Sequence, residues 1–214
     1  MSEGSGRFHK LDAMRDALHL MSRIILSELP DDAHILCAGV GDGPELLDFA
    51  AANPGWRFTA FDIDQEALQR GQEKIAAAGL AARCTLHCGT IDTLPQGEPF
   101  DAATAFLVSH FMLDIDERRR FFSGIGGRMK PGAILLSADI ASRTNDEGWL
   151  DLWGRMLRYA LPPEAANRMR AALYDKVAVL TPEEVGELLT SAGFRAPRLF
   201  FQNLLMHGWY ATRA

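Results

Sequence analysis

The chain has 214 residues, 48% of them hydrophobic and 23% charged, with a formal net charge of −6. That is enough chain for one generous globular domain with a full core, and the acidic balance removes the electrostatic basis for binding nucleic acid. No apolar run reaches membrane-spanning length, and the polar, glycine-rich beginning does not read as a secretory signal; a cytoplasmic protein without a membrane partner is expected.

Residues 1–7 read as disordered, and residues 8–30 as an N-terminal helix. Leu11, Met14, Leu18, Met21, Ile25 and Leu29 recur at steps of three and four, one face of a helix, which Pro30-Asp31-Asp32 ends. "HILCA" follows as a strand, then a glycine loop, then helical "PELLDFAAA" closed by Asn53-Pro54-Gly55. "WRFTAFDI" predicts a second strand, and Asp64 is placed to cap a helix running to Ala78, with Gly79 as its stop. "RCTLHC" and "FDAATAFLV" read as the third and fourth strands. Residues 114–129 form a helical pattern whose basic run, residues 118–120, is expected on a solvated face; Lys130-Pro131-Gly132 turns it into a fifth strand, "AILLSADI". Residues 141–179 hold no clean strand but a helical pattern around Trp149, Leu152, Trp153, Met156 and Ala160. After helical "PEEVGELLTSAGF" the chain closes on "RLFFQNLLMHGWYATR", a strand-rich run broken by polar Gln202-Asn203. Two strands with almost nothing between them must be antiparallel.

Strands alternating with helices of this length imply βαβ units. The fold class is therefore α/β: an open, mostly parallel sheet of seven strands, helices on both faces, and a C-terminal antiparallel hairpin. One domain is expected over residues 1–214, with the 8–30 helix and the 141–179 insert as additions to it.

Gly39, Gly41 and Gly43 occupy alternate positions after the first strand. Glycine is entropically costly, so such density needs positive φ angles or a ligand pressed against bare backbone. Glycines before a helix put backbone amides within reach of a ligand. Asp62 ends the second strand about twenty residues further on, where an acid is placed to accept the hydroxyls of a ribose. A plain βα turn with a capping acid is the alternative. A dinucleotide fingerprint would need a third glycine where Pro44 stands.

Several stretches, in order, resemble the class I S-adenosylmethionine-dependent methyltransferases: "ILCAGVGDG", "FTAFDID", "LHCGTIDTLP", "FDAATAFLVSHFMLD", "MKPGAILLSADI" and the closing "AGFRAPRLFFQNLLMHGWYATR". The resemblance implies the Rossmann-like methyltransferase fold and S-adenosyl-L-methionine as the methyl donor. It places Ala38, Gly39, Gly41 and Gly43 beside the donor's methionine part, Asp62 on the ribose, Ile63 against the adenine, Thr90 and Ile91 around its edge, and Leu107 at the end of the fourth strand. Two departures stand out. Cys37-Ala38 replaces the acid that often precedes the glycines and contacts the donor's amino group, and Thr90 replaces an acid that often bonds the adenine.

Methyl transfer needs a base only when the acceptor must shed a proton. His110 follows the fourth strand, where the family places substrate-facing residues, and is a candidate catalytic residue; a histidine packed at the head of the next helix is the alternative. Asp139 ends the fifth strand and is the second candidate, or else caps the following loop. His207 reads as structural, and His9, His19, His34 and His87 join no constellation. Cys37, Cys84 and Cys88 lack metal spacing, and their odd number suits a reducing compartment. No metal is expected. Ser109 and His110 are adjacent, and no Ser-His-Asp arrangement presents itself. The aromatic and apolar residues of the 141–179 insert suggest a cap over the strand ends, shaping a pocket for a small, partly hydrophobic acceptor. Simple packing of a helical pair is the bland reading. An NAD-dependent reductase and a non-catalytic nucleoside-binding protein stay as alternatives, and a homodimer is compatible with the sequence.

Overall fold

In the computed structural model, which describes residues 9–142 and 147–214, the chain runs α1 (His9–Leu26), β1 (His34–Ala38), α2 (Pro44–Ala52), β2 (Arg57–Asp62), α3 (Gln65–Ala77), β3 (Cys84–Cys88) and β4 (Phe100–Phe106). It continues through α4 (Ile115–Gly127), β5 (Met129–Ile140), α5 (Glu147–Ala160), α6 (Pro163–Asp175), α7 (Pro182–Ser191), β6 (Phe194–Asn203) and β7 (Met206–Arg213). The expected disorder of residues 1–7 and the first residue of the N-terminal helix fall outside the described residues. All seven strands join one sheet in the order β3-β2-β1-β4-β5-β7-β6. β1, β2, β3, β4 and β5 pair in parallel, whereas β7 runs antiparallel to both β5 and β6. The fold is the Rossmann-like one of the methyltransferases.

The alternation along β1 decides which helices cover which face. Ile35 and Cys37 point to the layer holding Leu26 of α1, Leu46 and Phe49 of α2, and Leu68 and Ile75 of α3. Leu36 and Ala38 point to the opposite layer, with Phe121, Phe122 and Ile125 of α4 and Val185 and Leu188 of α7. A period of two in a strand produces this sorting directly. The insert helices α5 and α6 gather a third, separate core around Trp153, Leu157, Leu161 and Leu173, joined by Leu205 of the terminal hairpin.

Helix starts follow local chemistry. Asp64 caps α3 by accepting the Ala67 N–H, Asp114 caps α4 by accepting those of Asp116 and Glu117, and Thr181 with Glu184 forms a capping box on α7. Three expectations need correction. Met129-Lys130-Pro131-Gly132 opens β5 rather than turning into it: the ladder with β4 takes an irregularity between Phe100 and Ala102, and Gly132 absorbs a φ of 76°. Met21 does not share the buried face of α1, which centres on Leu18, His19, Ser22 and Leu26. Arg118 is not solvated at all but fully buried.

β1 lies between β2 and β4, so the chain leaves it first to one side and then to the other. A crevice forms at the carboxyl ends of strands where the order reverses in this way. The glycine loop fills the start of that crevice. Gly39, Gly41 and Gly43 all have positive φ, at 67°, 55° and 82°. A Cβ on Gly39 would lie 2.3 Å from Val108 Cγ2 and 2.6 Å from its Cβ, whereas one on Gly41 would meet nothing within 4 Å. Gly41→Ala should therefore lose about 1–2 kcal/mol for the left-handed backbone alone, and Gly39→Ala should lose about 1–3 kcal/mol more for overpacking. Urea unfolding of both variants measures the difference.

Candidate functional site

Asp62 fastens the glycine loop to the end of β2. Its Oδ2 accepts the Gly41 N–H at 2.7 Å and its Oδ1 accepts the Asp64 N–H at 2.9 Å. The Gly39 and Val40 N–H groups both donate to the Phe61 carbonyl. A carboxylate offers about four lone-pair sites, so these two bonds leave acceptor capacity for a ligand. Ile63, next in the chain, is 77% exposed. Thr90 is also exposed, with its N–H taken by Thr93 Oγ1. Ile91 departs from expectation: it is 5% exposed and packs in the core against α4 where Gly124 gives it room. Ala38 is fully buried, leaving only its backbone near the loop.

A cavity of about 240 Å³ opens between the loop and α1, lined by Gly39, Gly41, Glu45, His19 and Leu107 among others. Glu45 was invisible as a site residue in the sequence. It is 4% exposed, and burial, followed by repulsion from Asp42 and Asp62, pushes its carboxyl up to about 8. His19 is buried too, stacked on Phe106, and loss of water lowers its affinity for a proton.

Leu107 follows β4 with a φ of 55°, an uncommon conformation for a branched side chain, and its N–H is held by the Ala138 carbonyl at 2.7 Å. Strained backbone of this kind gathers at sites where a direction matters. Here it turns the chain from the strand into the single 3₁₀ turn Ser109–Phe111, and Leu107 lines a second cavity as well as the first. That second cavity, about 300 Å³, is bounded by His110, Phe111, Ile140, Trp153, Met156 and Met169, among others. A larger open groove beside α7 and β6 includes none of the strand-end residues.

The structure brings His110 and Asp139 together. His110 Nδ1 lies 2.7 Å from Asp139 Oδ1, and the His110 backbone N–H donates to the same oxygen at 3.0 Å. Ser109 Oγ donates to Oδ2 at 2.5 Å, and the Arg118 guanidinium pairs with Oδ2 at 2.9 Å while its Nε donates to Ser109 Oγ at 2.8 Å. Burial alone would raise the Asp139 carboxyl, but the bond from His110, the Arg118 charge and the Ser109 hydroxyl outweigh it and hold the group below the usual carboxylate range. An ionised carboxylate only accepts, so Nδ1 carries the hydrogen and Nε2 is the free position of the neutral ring.

This arrangement corrects two expectations. Serine, histidine and aspartate do meet, but Ser109 and His110 both donate to one carboxylate, and the Ser109 hydroxyl is fully buried; it has no geometry for attack. Asp139 is fully buried with both oxygens engaged by Ser109, His110 and Arg118, and it fixes the orientation of the His110 ring. Arg118 was missed, although its spacing to Phe121, Phe122 and Ile125 puts it on the buried stripe of α4. It also reaches the insert, with Nη1 donating to the Ala178 carbonyl, while the Ala178 N–H donates to the His110 carbonyl. His207, as expected, is structural: Nδ1 bonds the Leu205 carbonyl inside the hairpin.

Arg118→Met leaves the Asp139 charge buried and uncompensated and should cost about 3–5 kcal/mol at pH 7. Because the folded-state affinity of Asp139 for a proton is depressed, its contribution is present above the ordinary carboxylate range and is lost as pH falls through its folded value. The penalty of the variant should therefore shrink in acid, as urea unfolding at several pH values will measure.

Residues 36–135 match the family model of a methyltransferase domain. A sterol 4-C-methyltransferase of Caenorhabditis elegans is 28% identical over 120 residues, 56% of this chain and 34% of that protein. Among solved structures, an O-methyltransferase family 2 protein from Planctomyces limnophilus in complex with apigenin superposes with a TM-score of 0.67 at 20% identity, over 100% of this chain and 62% of that one. A mitomycin 7-O-methyltransferase gives 0.65 at 23% identity, over 94% and 56%. The chain thus spans about a third of the curated relative and under two thirds of these structures. The strand order, the terminal hairpin, the loop geometry and the matched segment agree: residues 36–135 are a methyltransferase domain carried on a Rossmann-like methyltransferase fold, similar to the class I S-adenosylmethionine-dependent enzymes.

Proposed function

We propose that the protein methylates an oxygen of a small, largely apolar acceptor, with S-adenosyl-L-methionine as donor. The observation that carries this reading is the His110–Asp139 pair at the wall of an apolar cavity that adjoins the glycine-loop cavity at Leu107. The residues of the crevice fit the donor. Gly41 and Gly43 present bare backbone to open space, Asp62 has acceptor capacity for ribose hydroxyls, and Ile63 offers an exposed apolar face to the adenine. Thr90 would border the ring edge. Ile91 would support it from beneath.

The donor, when bound, supplies a methyl group on a positively charged sulfur. The chain's own work is alignment and proton removal. A methyl acceptor must approach in line, and orientation supplies much of the rate in such reactions. Trp153, Met156 and Phe111 would hold a flat apolar acceptor, and the insert above it would keep water from the reacting atoms. The methyl carbon would exchange its bond to sulfur for one to the acceptor oxygen, leaving a neutral thioether, and the hydroxyl proton would pass to His110 Nε2. Asp139 holds the tautomer that leaves Nε2 free and stabilises the imidazolium that results. A phenol or enol suits such a base better than an unactivated alcohol. Apigenin, a phenol present in one structural neighbour, is a reasonable first acceptor to try, followed by an extract supplied with methyl-labelled donor.

Calorimetry with S-adenosylmethionine and NAD should show binding of the first; tighter binding of NAD would sink the assignment. Asp62→Ala should weaken the donor by about 1.5–3 kcal/mol, the range for hydrogen bonds involving a charged group.

Acceptor chemistry is tested separately. His110→Ala should lower kcat by about 10²–10⁴-fold, the usual contribution of a general base, with the donor dissociation constant unchanged. Phe111→Ala, at a residue that is 61% exposed and so dispensable to the core, should raise KM for the acceptor. Full turnover in the His110 variant would mean that the acceptor needs no base.

A further inference from the structure

The glycine-loop cavity contains a buried acid besides the residues placed around the donor. Glu45 is the second residue of α2, after Pro44 at the first position, and its side chain lines the cavity while being 4% exposed. Its carboxyl accepts a hydrogen bond from its own backbone N–H, but among the described residues no salt bridge engages it. A buried carboxyl with no opposite charge beside it is costly to ionise. The other acid of the cavity, Asp42, is already paired with Lys74 of α3 at 2.5 Å. From β1, Cys37 sits beside Glu45 as a fully buried neutral thiol, because burial pushes its proton affinity up. From α1, His19 is neutral through burial, and Arg15 is committed to Asp12 and Asp16. Asp62 on β2 adds only further repulsion. The cavity therefore offers a cation one unclaimed, dehydrated counter-ion.

We propose that Glu45 is the counter-ion of the donor's α-ammonium group, and that its ionisation couples donor capture to release of a proton. The proposal rests on the donor assigned above. Burial and the carboxylates of Asp42 and Asp62 keep Glu45 protonated in the free protein up to about pH 8. Arrival of an ammonium group favours the carboxylate, so the proton leaves to solvent as the ion pair forms. No other atom changes hands. The site would thus carry no uncompensated charge when empty and one matched pair when filled.

The experiment compares S-adenosylhomocysteine, which carries the amino-acid group, with 5′-methylthioadenosine, which lacks it. At pH 6.5, calorimetry in buffers of different ionisation enthalpy should show close to one proton released when the wild type binds S-adenosylhomocysteine and none for methylthioadenosine. Glu45→Gln should abolish the release and weaken S-adenosylhomocysteine about ten- to a hundredfold, the range expected of a charged hydrogen bond, while leaving methylthioadenosine binding unchanged. If the wild type binds S-adenosylhomocysteine without releasing a proton, or if the variant binds it equally well, the role of Glu45 is refuted and the donor assignment stands. If the wild type binds neither compound, the donor assignment itself fails and takes this proposal with it. The proton count on the wild type decides the matter even if the variant does not fold.

Discussion

The end of β5 is organised by one unavoidable constraint: Asp139 carries a charge where no water reaches it. An isolated carboxylate there would cost several kcal/mol, and a pair stands only if its remaining lone pairs are also satisfied. The chain meets that demand with three donors and one opposite charge from two elements: the Ser109 hydroxyl, the His110 backbone and ring, and the ion-paired Arg118 guanidinium. Each donor is thereby fixed in place. The 3₁₀ turn after β4 is pulled onto β5, α4 is drawn in under it, and the return segment of the insert is pinned through Ala178. Such a pair adds little net stability compared with apolar packing; what it supplies is a definite arrangement. The single orientation of the His110 ring is the clearest product.

On the other side of the switch point the constraint is steric. Asp62, Phe61 and Val108 leave the loop after β1 one path, and only glycine follows it without a clash at position 39. Two cavities result, one on each side of Leu107, whose left-handed backbone is held by the Ala138 carbonyl. Leu107 and Asp139 both depend on the last residues of β5. A disturbance there would reach the two cavities together, although among the described residues Leu107 alone lines both.

Much of this was legible in the sequence because periodicity reports burial directly. The α/β alternation, the terminal antiparallel pair, the glycine loop and the caps at Asp64 and Asp114 all follow from residue type and spacing. Arg118 and Glu45 are charged residues at positions whose spacing belongs to the buried face, and there spacing outweighs charge. For Arg118 the partner that justifies burial, Asp139, lies on another strand and is invisible to local patterns. Ile91 shows the converse limit: an apolar residue in the right motif can face the core as easily as the cleft. Lys130-Pro131-Gly132 looked like a turn because proline and glycine break ladders, but an irregularity in the pairing of β5 with β4 accommodates them.

The insert differs in kind from the sheet it covers. Its helices do not extend either main core; they form their own around Trp153, Leu157 and Leu173, closed by Leu205 and by Leu11 of α1. A unit with its own core can change its lining residues without disturbing strand packing, since substitutions coupled through a shared core are the ones that fail to add. The sheet and loop fix what every member of the fold must do, which is to hold a ligand at the strand ends. The insert's share of the second cavity includes Met156 and Met169, whose flexible thioethers adapt to the shape of what they enclose. His110 stands where the two parts meet, held by Asp139 from the sheet and through its carbonyl by Ala178 from the insert. Its orientation is therefore sensitive to both, and replacement of the insert would have to preserve the Ala178 contacts to keep the His110 ring in position.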